Sequence, residues 1–437
     1  MALPVSTPTP TVAAGSTNRY GVAFALVTSL FFLWAFVHNL EPILIPHLKK
    51  ACQLTDLESA LIDSAVYLGY FLMALPAGFV MKRYGYKAGI LAGLVLYALG
   101  AFLFVPAADT RLYGFFLGAL FIIASGCAFL ETAANPYVTI LGPPEGANTR
   151  LNFSQSFNGL GAFLAPLLGG RFILSGIEHT PAELSAMSPA QLNGYLQSEA
   201  ATVKVPYLII GVIVLAVAGL FLVTKMPGVD SSGRSEGRTS EGAVDSPSSL
   251  GSALRHRQLR WGVIAQFFYV GAQVCVTSFF IRFAKYTGNT PEKEAAFWLS
   301  LSLFGFMVGR FVGTFLSRFI PAGRLLTLYA GLSMVLLAVA MTAQSQLAVW
   351  AVFAVPFFES IMFPTIFALA INKLGKDTEF GSSLLVMSVS GGAICPLLMG
   401  WLSDRSNIQL AYIVPLLCFL FVAYFGWRGH QTEQVNG

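Results

Sequence analysis

The chain alternates between long apolar runs and short polar turns. Twelve runs of about twenty residues stand out, at 21–46, 59–81, 86–107, 112–137, 150–175, 206–225, 259–284, 296–317, 323–343, 347–372, 380–402 and 409–428. A helix of that length covers the ~30 Å hydrocarbon core of a bilayer. Most runs are separated by short turns containing Gly or Pro. The pattern predicts an all-α membrane protein with twelve transmembrane helices.

Two longer breaks interrupt the series. Residues 176–205 hold Thr180-Pro181-Ala182-Glu183 and Ser188-Pro189-Ala190-Gln191. Each has a capping hydroxyl, a proline at the first helical position and an acid or amide three residues after the cap, which predicts short surface helices outside the bilayer. Residues 226–258 are rich in Ser, Gly and charge and read as a linker. The expected organisation is a flexible N-terminal tail (1–20), a six-helix half (21–225), the linker (226–258), a second six-helix half (259–428) and a C-terminal tail (429–437).

Composition sharpens the class. Of 437 residues, 55% are hydrophobic and 11% charged, against roughly 25% charged in soluble domains. A net charge of +5, thinly spread, suggests no nucleic-acid partner. Cys127, Cys275, Cys395 and Cys418 fall in apolar runs and Cys52 stands alone, so no disulfide framework or metal spacing is implied. The Pro/Thr/Ser-rich N-terminus does not read as a signal peptide. With both termini cytoplasmic, most of the basic residues fall in inner segments, including Lys82, Arg83, Lys87, Arg310, Arg318, Arg324, Lys373 and Lys376. That bias predicts N-in, C-in topology. Two six-span halves joined by a long linker match the parallel-repeat architecture of major facilitator transporters.

Four carboxylates lie within or beside apolar runs, and each is a candidate for proton coupling: Glu131, Glu41, Asp63 and Glu359. A charge at mid-bilayer costs at least ~2.5 kcal/mol, so such residues are kept for a reason. Glu131 is deep in span 4, with Asn135 one turn later on the same face and Pro136 after it, freeing a carbonyl. Removal from water disfavours a charged carboxylate, so an acid there can take a proton from one side and release it on the other. The alternative is a structural Glu bonded to a neighbouring helix. Glu41 lies in His38-Asn39-Leu40-Glu41-Pro42, where Pro42 and Pro46 should bend or break the helix. His38 shares its face, and a solvated helix-end acid competes with a coupling role. Asp63, four residues before Tyr67, reads better as a mouth or interface residue than as a transport acid. Glu359 sits between Pro356 and Pro364 in an unevenly wound helix, where cavity lining and inter-helix bonding are equal readings.

Amides form stripes. Asn152, Gln155 and Asn158 are spaced by three in span 5. Gln266 and Gln273 are two turns apart in span 7, followed by Thr277. With aromatics nearby (Trp34, Phe157, Tyr269, Phe363), such stripes suit a polyhydroxylated ligand, since amides donate to and accept from hydroxyls. The competing reading is amide glue between helices.

Phe31-Phe32-Leu33-Trp34, Asn39-Leu40, Pro76-Ala77-Gly78, Leu130-Glu131-Thr132-Ala133-Ala134-Asn135-Pro136, Arg150-Leu151-Asn152, Gln155, Phe157-Asn158 and Tyr269-Val270-Gly271-Ala272-Gln273 resemble the L-fucose:proton symporter family, as do Pro364-Thr365-Ile366-Phe367 and Gly381-Ser382-Ser383. The resemblance runs from about residue 20 to 428. It implies a major facilitator fold in a bacterial inner membrane and proton-coupled uptake of L-fucose or a related hexose. It makes Glu131 an essential acid, with Asn39, Gln155 and Asn158 lining the cavity. The expected partners are a small sugar, protons as the coupling ion and the lipid bilayer, for a monomer without cofactors.

The family usually has an Asn-Asp pair in span 1, the Asp acting as a second essential acid; here the matching positions read Glu41-Pro42. The acid has moved back one residue, about 100° around a helix. Either Glu41 substitutes, or Asp63 or Glu359 does, or coupling rests on Glu131 alone. An uncoupled facilitator or exporter of the same fold is the alternative reading. An integral membrane enzyme is a remote one, since no aqueous-face His/Asp constellation is evident.

Overall fold

Span by span, the apolar runs become helices. The computed structural model describes residues 15–142, 147–226, 254–372, 374 and 377–429. The first half comprises α1 (Gly15–His38), α2 (Glu41–Ala51), α3 (Asp56–Tyr84), α4 (Tyr86–Thr110), α5 (Tyr113–Ile140), α6 (Ala147–Phe172), α7 (Pro181–Ala186), α8 (Pro189–Ala201) and α9 (Lys204–Val223). In the second half are α10 (Arg257–Gly288), α11 (Glu292–Leu316), α12 (Ala322–Thr342), α13 (Gln346–Glu359), α14 (Met362–Ile371), α15 (Thr378–Met387), α16 (Gly391–Arg405), α17 (Ile408–Ala411) and α18 (Ile413–Tyr424), which ends in a π-turn over Phe425–Gly429.

Among the described residues, eleven helical units are long and apolar enough to cross a membrane. The twelfth, α6, has 26 residues and ample length, but its amides and Arg150 lower its hydropathy. It is a span whose polar stripe is tolerated because it is packed between α1 and α11. Thr28 and Ser154 hydroxyls meet at 2.9 Å across the α1/α6 contact.

Three spans break well inside their length, and the twelfth is interrupted at Tyr412 near its start. The first breaks at Asn39-Leu40, with Pro42 in the first turn of α2, where the missing N–H is harmless. Span 10 breaks at Ser360-Ile361 between α13 and α14. Span 11, which the sequence pattern presents as one run over 380–402, divides at a 3₁₀ turn, Ser388–Ser390. α7 and α8 carry the two expected capping boxes, at Thr180/Glu183 and Ser188/Gln191. α1 begins at Gly15, inside the expected tail. Most of the expected linker, residues 227–253, lies outside the described residues, as do residues 1–14 and 430–437.

Small residues set the helix spacing. A Cβ on Gly126 of α5 would stand 2.6 Å from the Gly93 carbonyl and the Tyr97 amide of α4, so glycine permits this close crossing. Tyr97 then donates to the Leu33 carbonyl at 3.1 Å, pinning α4 to α1.

Candidate functional site

The break in span 1 creates the first part of the site. Asn39 turns its amide back to the Ala35 carbonyl at 2.8 Å, satisfying a carbonyl at the end of α1. Two residues, Asn39 and Leu40, then carry the chain from His38, the last residue of α1, to Glu41, the first of α2. Their side chains meet, Nδ1 to Oε1, at 3.0 Å. Glu41 also sits at the positive end of the α2 dipole. On the far side of the ring, His38 Nε2 lies 3.4 Å from the Tyr67 hydroxyl, and the Tyr67 and Tyr70 rings approach it edge-on at 5.7 and 6.0 Å. Glu41 is only 4% exposed, whereas the His38 side chain keeps 33%.

Glu131 faces the same region. His38 is the group that acts on it electrostatically, and Glu131 in turn acts on Tyr67 and Tyr70. One turn before it, Cys127 shares a pocket with Val37, His38, Glu41 and Tyr70. Glu131 is half-buried and carries no hydrogen bond or ion pair among the described residues. One turn on, Asn135 accepts from the Gln155 amide at 3.4 Å, joining spans 4 and 5. Asn158, a turn further along α6, is half-buried; the Asn152 side chain is outside the described residues.

The second half offers a different arrangement. The break after Glu359 leaves carbonyls without helical partners: Tyr269 donates to that of Glu359 at 3.0 Å and Arg310 Nε to that of Ser360 at 3.4 Å. The Glu359 carboxyl itself is fully buried, and among the described residues neither oxygen has a partner; both polar atoms of the Gln266 amide are likewise buried and unpartnered there. Phe363 lies edge-on to Tyr269 at 6.3 Å. Phe363 and Gln273 are half-buried.

One end of the molecule is sealed between the halves. Arg282 of α10 donates to Asp56 at 2.6 Å and Ser59 at 2.8 Å. Asp404 of α16 accepts from the Asp56 and Leu57 amides at 2.7 and 2.8 Å, capping α3 from the opposite half. Ser403 reaches Asp56 at 2.6 Å, Ser64 reaches the Ala393 carbonyl at 2.7 Å, and Ser278 reaches Asp63 at 2.8 Å. Lys50 bridges Glu199 at 3.1 Å and Glu292 at 3.6 Å; Lys285 bridges Glu178 at 2.8 Å and Glu292 at 2.9 Å. Glu178 lies in a loop outside the spans. Against its partial burial, the Glu292 amide and the Lys285 ammonium hold its carboxyl below the usual range. Behind this seal, His38 and Glu131 keep exposed surface at mid-span.

Of the residues singled out in the sequence, the fold gathers His38, Glu41 and Glu131, and separately Asn135 with Gln155. Glu359, Gln266, Tyr269 and Phe363 form a second group on the other half, and Asp63 lies in the seal. Sequence reasoning missed the seal's other members, Asp56, Arg282, Ser278, Lys50 and Glu292. The one available signal was Arg282, a cation inside an otherwise apolar run.

Two helical halves, sealed at one end around a mid-depth group of acids, amides and aromatics, define a membrane transporter of the alternating-access type. The chain belongs to the Major Facilitator Superfamily, whose sequence profile matches residues 22–390. It is 44% identical to the L-fucose-proton symporter of Escherichia coli K12 over 425 residues, covering 96% of this chain and 95% of that protein. It is 40% identical to a glucose/galactose transporter of Brucella abortus, covering 98% and 99%. Among solved structures, FucP in the outward conformation is 42% identical and covers 95% of this chain and 100% of its own, with a TM-score of 0.66.

Proposed function

We propose that the protein takes up a monosaccharide, L-fucose or a related hexose, together with protons across a bacterial inner membrane. Both termini are cytoplasmic in this reading, so the sealed end faces outside. Glu131 is the main coupling acid. The observation that carries this is Glu131 itself: a half-buried carboxylate at mid-span without a partner among the described residues, beside the His38–Glu41 pair and the Asn135–Gln155 amides. A sugar hydroxyl finds donors and acceptors there, while Glu131 holds the proton that must move with it.

Sugar and proton enter while the outer end is open. The halves then rock, the seal forms, and both leave inward. Glu41, held by His38, stands in the position from which a second acid acts; Asp63 and Glu359 are the other candidates. Asn39, His38, Asn158, Gln266, Gln273, Tyr269 and Phe363 complete the proposed sugar surface. The names of the relatives above, a proton symporter and a hexose transporter, support the reading. The test is proteoliposome uptake driven by an inward proton gradient. The wild-type protein accumulates a hexose, and dissipating the gradient abolishes accumulation. Uptake that only equilibrates, with or without the gradient, would make the protein a facilitator.

A further inference from the structure

Asp63 is fully buried in the seal, where α3 packs against α16 and is hydrogen-bonded to α10 through Ser278 and Arg282. One oxygen accepts from the Ser278 hydroxyl of the opposite half at 2.8 Å, and the other has no partner among the described residues. On the same helix, Ser64 is bonded across the halves to Ala393, and the Tyr67 ring stands 2.8 Å from where a Cβ on Gly392 would lie. The carboxyl is thus enclosed by the junction itself. The titratable groups facing it are Glu41 and His38 from the first span, Tyr113 from α5, Cys275 and Arg282 from α10, and Tyr67 from its own helix. Arg282 directs its Nη1 to Asp56 and Ser59. Asp56 is also held by Lys49 at 2.6 Å. Among the described residues, the shut gate therefore offers Asp63 one neutral donor and no ion pair. An ionised carboxylate is expensive in such a place, and a protonated one is far less so.

We propose that Asp63 is a proton-binding site of the gate, which takes a proton from outside while the gate is open and, once neutral, lets the two halves close over it. This deepens the transport reading and rests on it for sidedness. The proton acts as a ligand with higher affinity for the closed state, and it shifts the equilibrium by that difference in affinity. Acid outside then favours the sealed form and alkali the open one.

The test is the distance between spin labels at Leu112 and Leu347, exposed residues on opposite halves at the sealed end, in a Cys52→Ser background reconstituted in liposomes. Across the range from about pH 5 to about pH 8, the ratio of short to long distances should fall at least about tenfold, the change expected when proton affinity differs tenfold between the states. Asp63→Asn keeps the acceptor for Ser278 but cannot ionise, and should give short distances throughout. A wild-type ratio that does not move, or an Asp63→Asn protein that switches like wild type, overturns the proposal. Should Asp63→Asn fail to fold, Ser278→Ala serves: it should keep a pH response with a displaced midpoint, and an unmoved midpoint overturns the assignment. Glu131→Gln separates the two readings, because it should lose sugar accumulation while keeping pH-dependent closure. Normal accumulation in Glu131→Gln would sink the coupling reading and leave the gate result standing.

Discussion

Replacing Arg282 with Met should push the transporter toward the form open at the sealed end. The guanidinium joins the halves through Asp56 at 2.6 Å and Ser59 at 2.8 Å, and lies 3.9 Å over the Phe279 ring. Its side chain is 8% exposed and that of Asp56 12%, so water screens the pair weakly. Removing one member of a buried ion pair costs about 3–5 kcal/mol. Asp56 keeps Lys49 and Ser403, both at 2.6 Å, which lowers the expected loss to about 2 kcal/mol, on the order of thirtyfold in an equilibrium constant. The contacts to Asp56 and Ser59 exist only while the gate is shut, so nearly all of that loss falls on the closed state. Met retains the stem length and its packing on Phe279. The Leu112–Leu347 label pair should shift from short toward long distances by that factor, with the protein still folded and binding sugar. An unchanged distribution, or one shifted toward closure, would refute the reasoning that this bridge holds the halves together.

Other predictions follow from single contacts. Gly392→Val places methyls where the Tyr67 ring now packs; overpacking of this kind costs about 1–3 kcal/mol, and the label pair should report a more open gate, with no shift telling against close packing there. Glu359→Leu removes a buried carboxyl without partners and should raise the thermal unfolding midpoint by the equivalent of about 1–3 kcal/mol; a lower midpoint would mean that the carboxyl is held by bonds. Tyr67→Phe removes a hydroxyl 3.4 Å from His38, a bond worth at most about 1 kcal/mol, so the KM for sugar should change no more than about fivefold.

Much of the architecture was legible because a bilayer imposes one length and one polarity on every span. The break in span 1 was legible too: Pro42 and Pro46 predict it, and three-residue spacing places His38 on Glu41. Pro356 and Pro364 announced only uneven winding in span 10, not the break at Ser360-Ile361 between them. What the sequence hid were partners far apart along the chain. Nothing local pairs Arg282 with Asp56, or Ser278 with Asp63, because those distances close only when α3, α10 and α16 meet. Gln266 shows the same limit. Its spacing matches a stripe with Gln273, yet helix packing encloses it and leaves Gln273 half-buried. The division of span 11 at Ser388–Ser390 carries no proline or glycine inside the turn itself to announce it.

In the proposed cycle Glu131 carries the proton that drives sugar accumulation. The direct measurement is hexose uptake into proteoliposomes under an inward proton gradient, with sugar exchange in the absence of a gradient measured alongside. Glu131→Gln puts a hydrogen-bonding amide in place of the carboxyl and loses the titrating proton, so it should still exchange sugar across the membrane but fail to concentrate it. Accumulation at the wild-type level by Glu131→Gln would contradict the account.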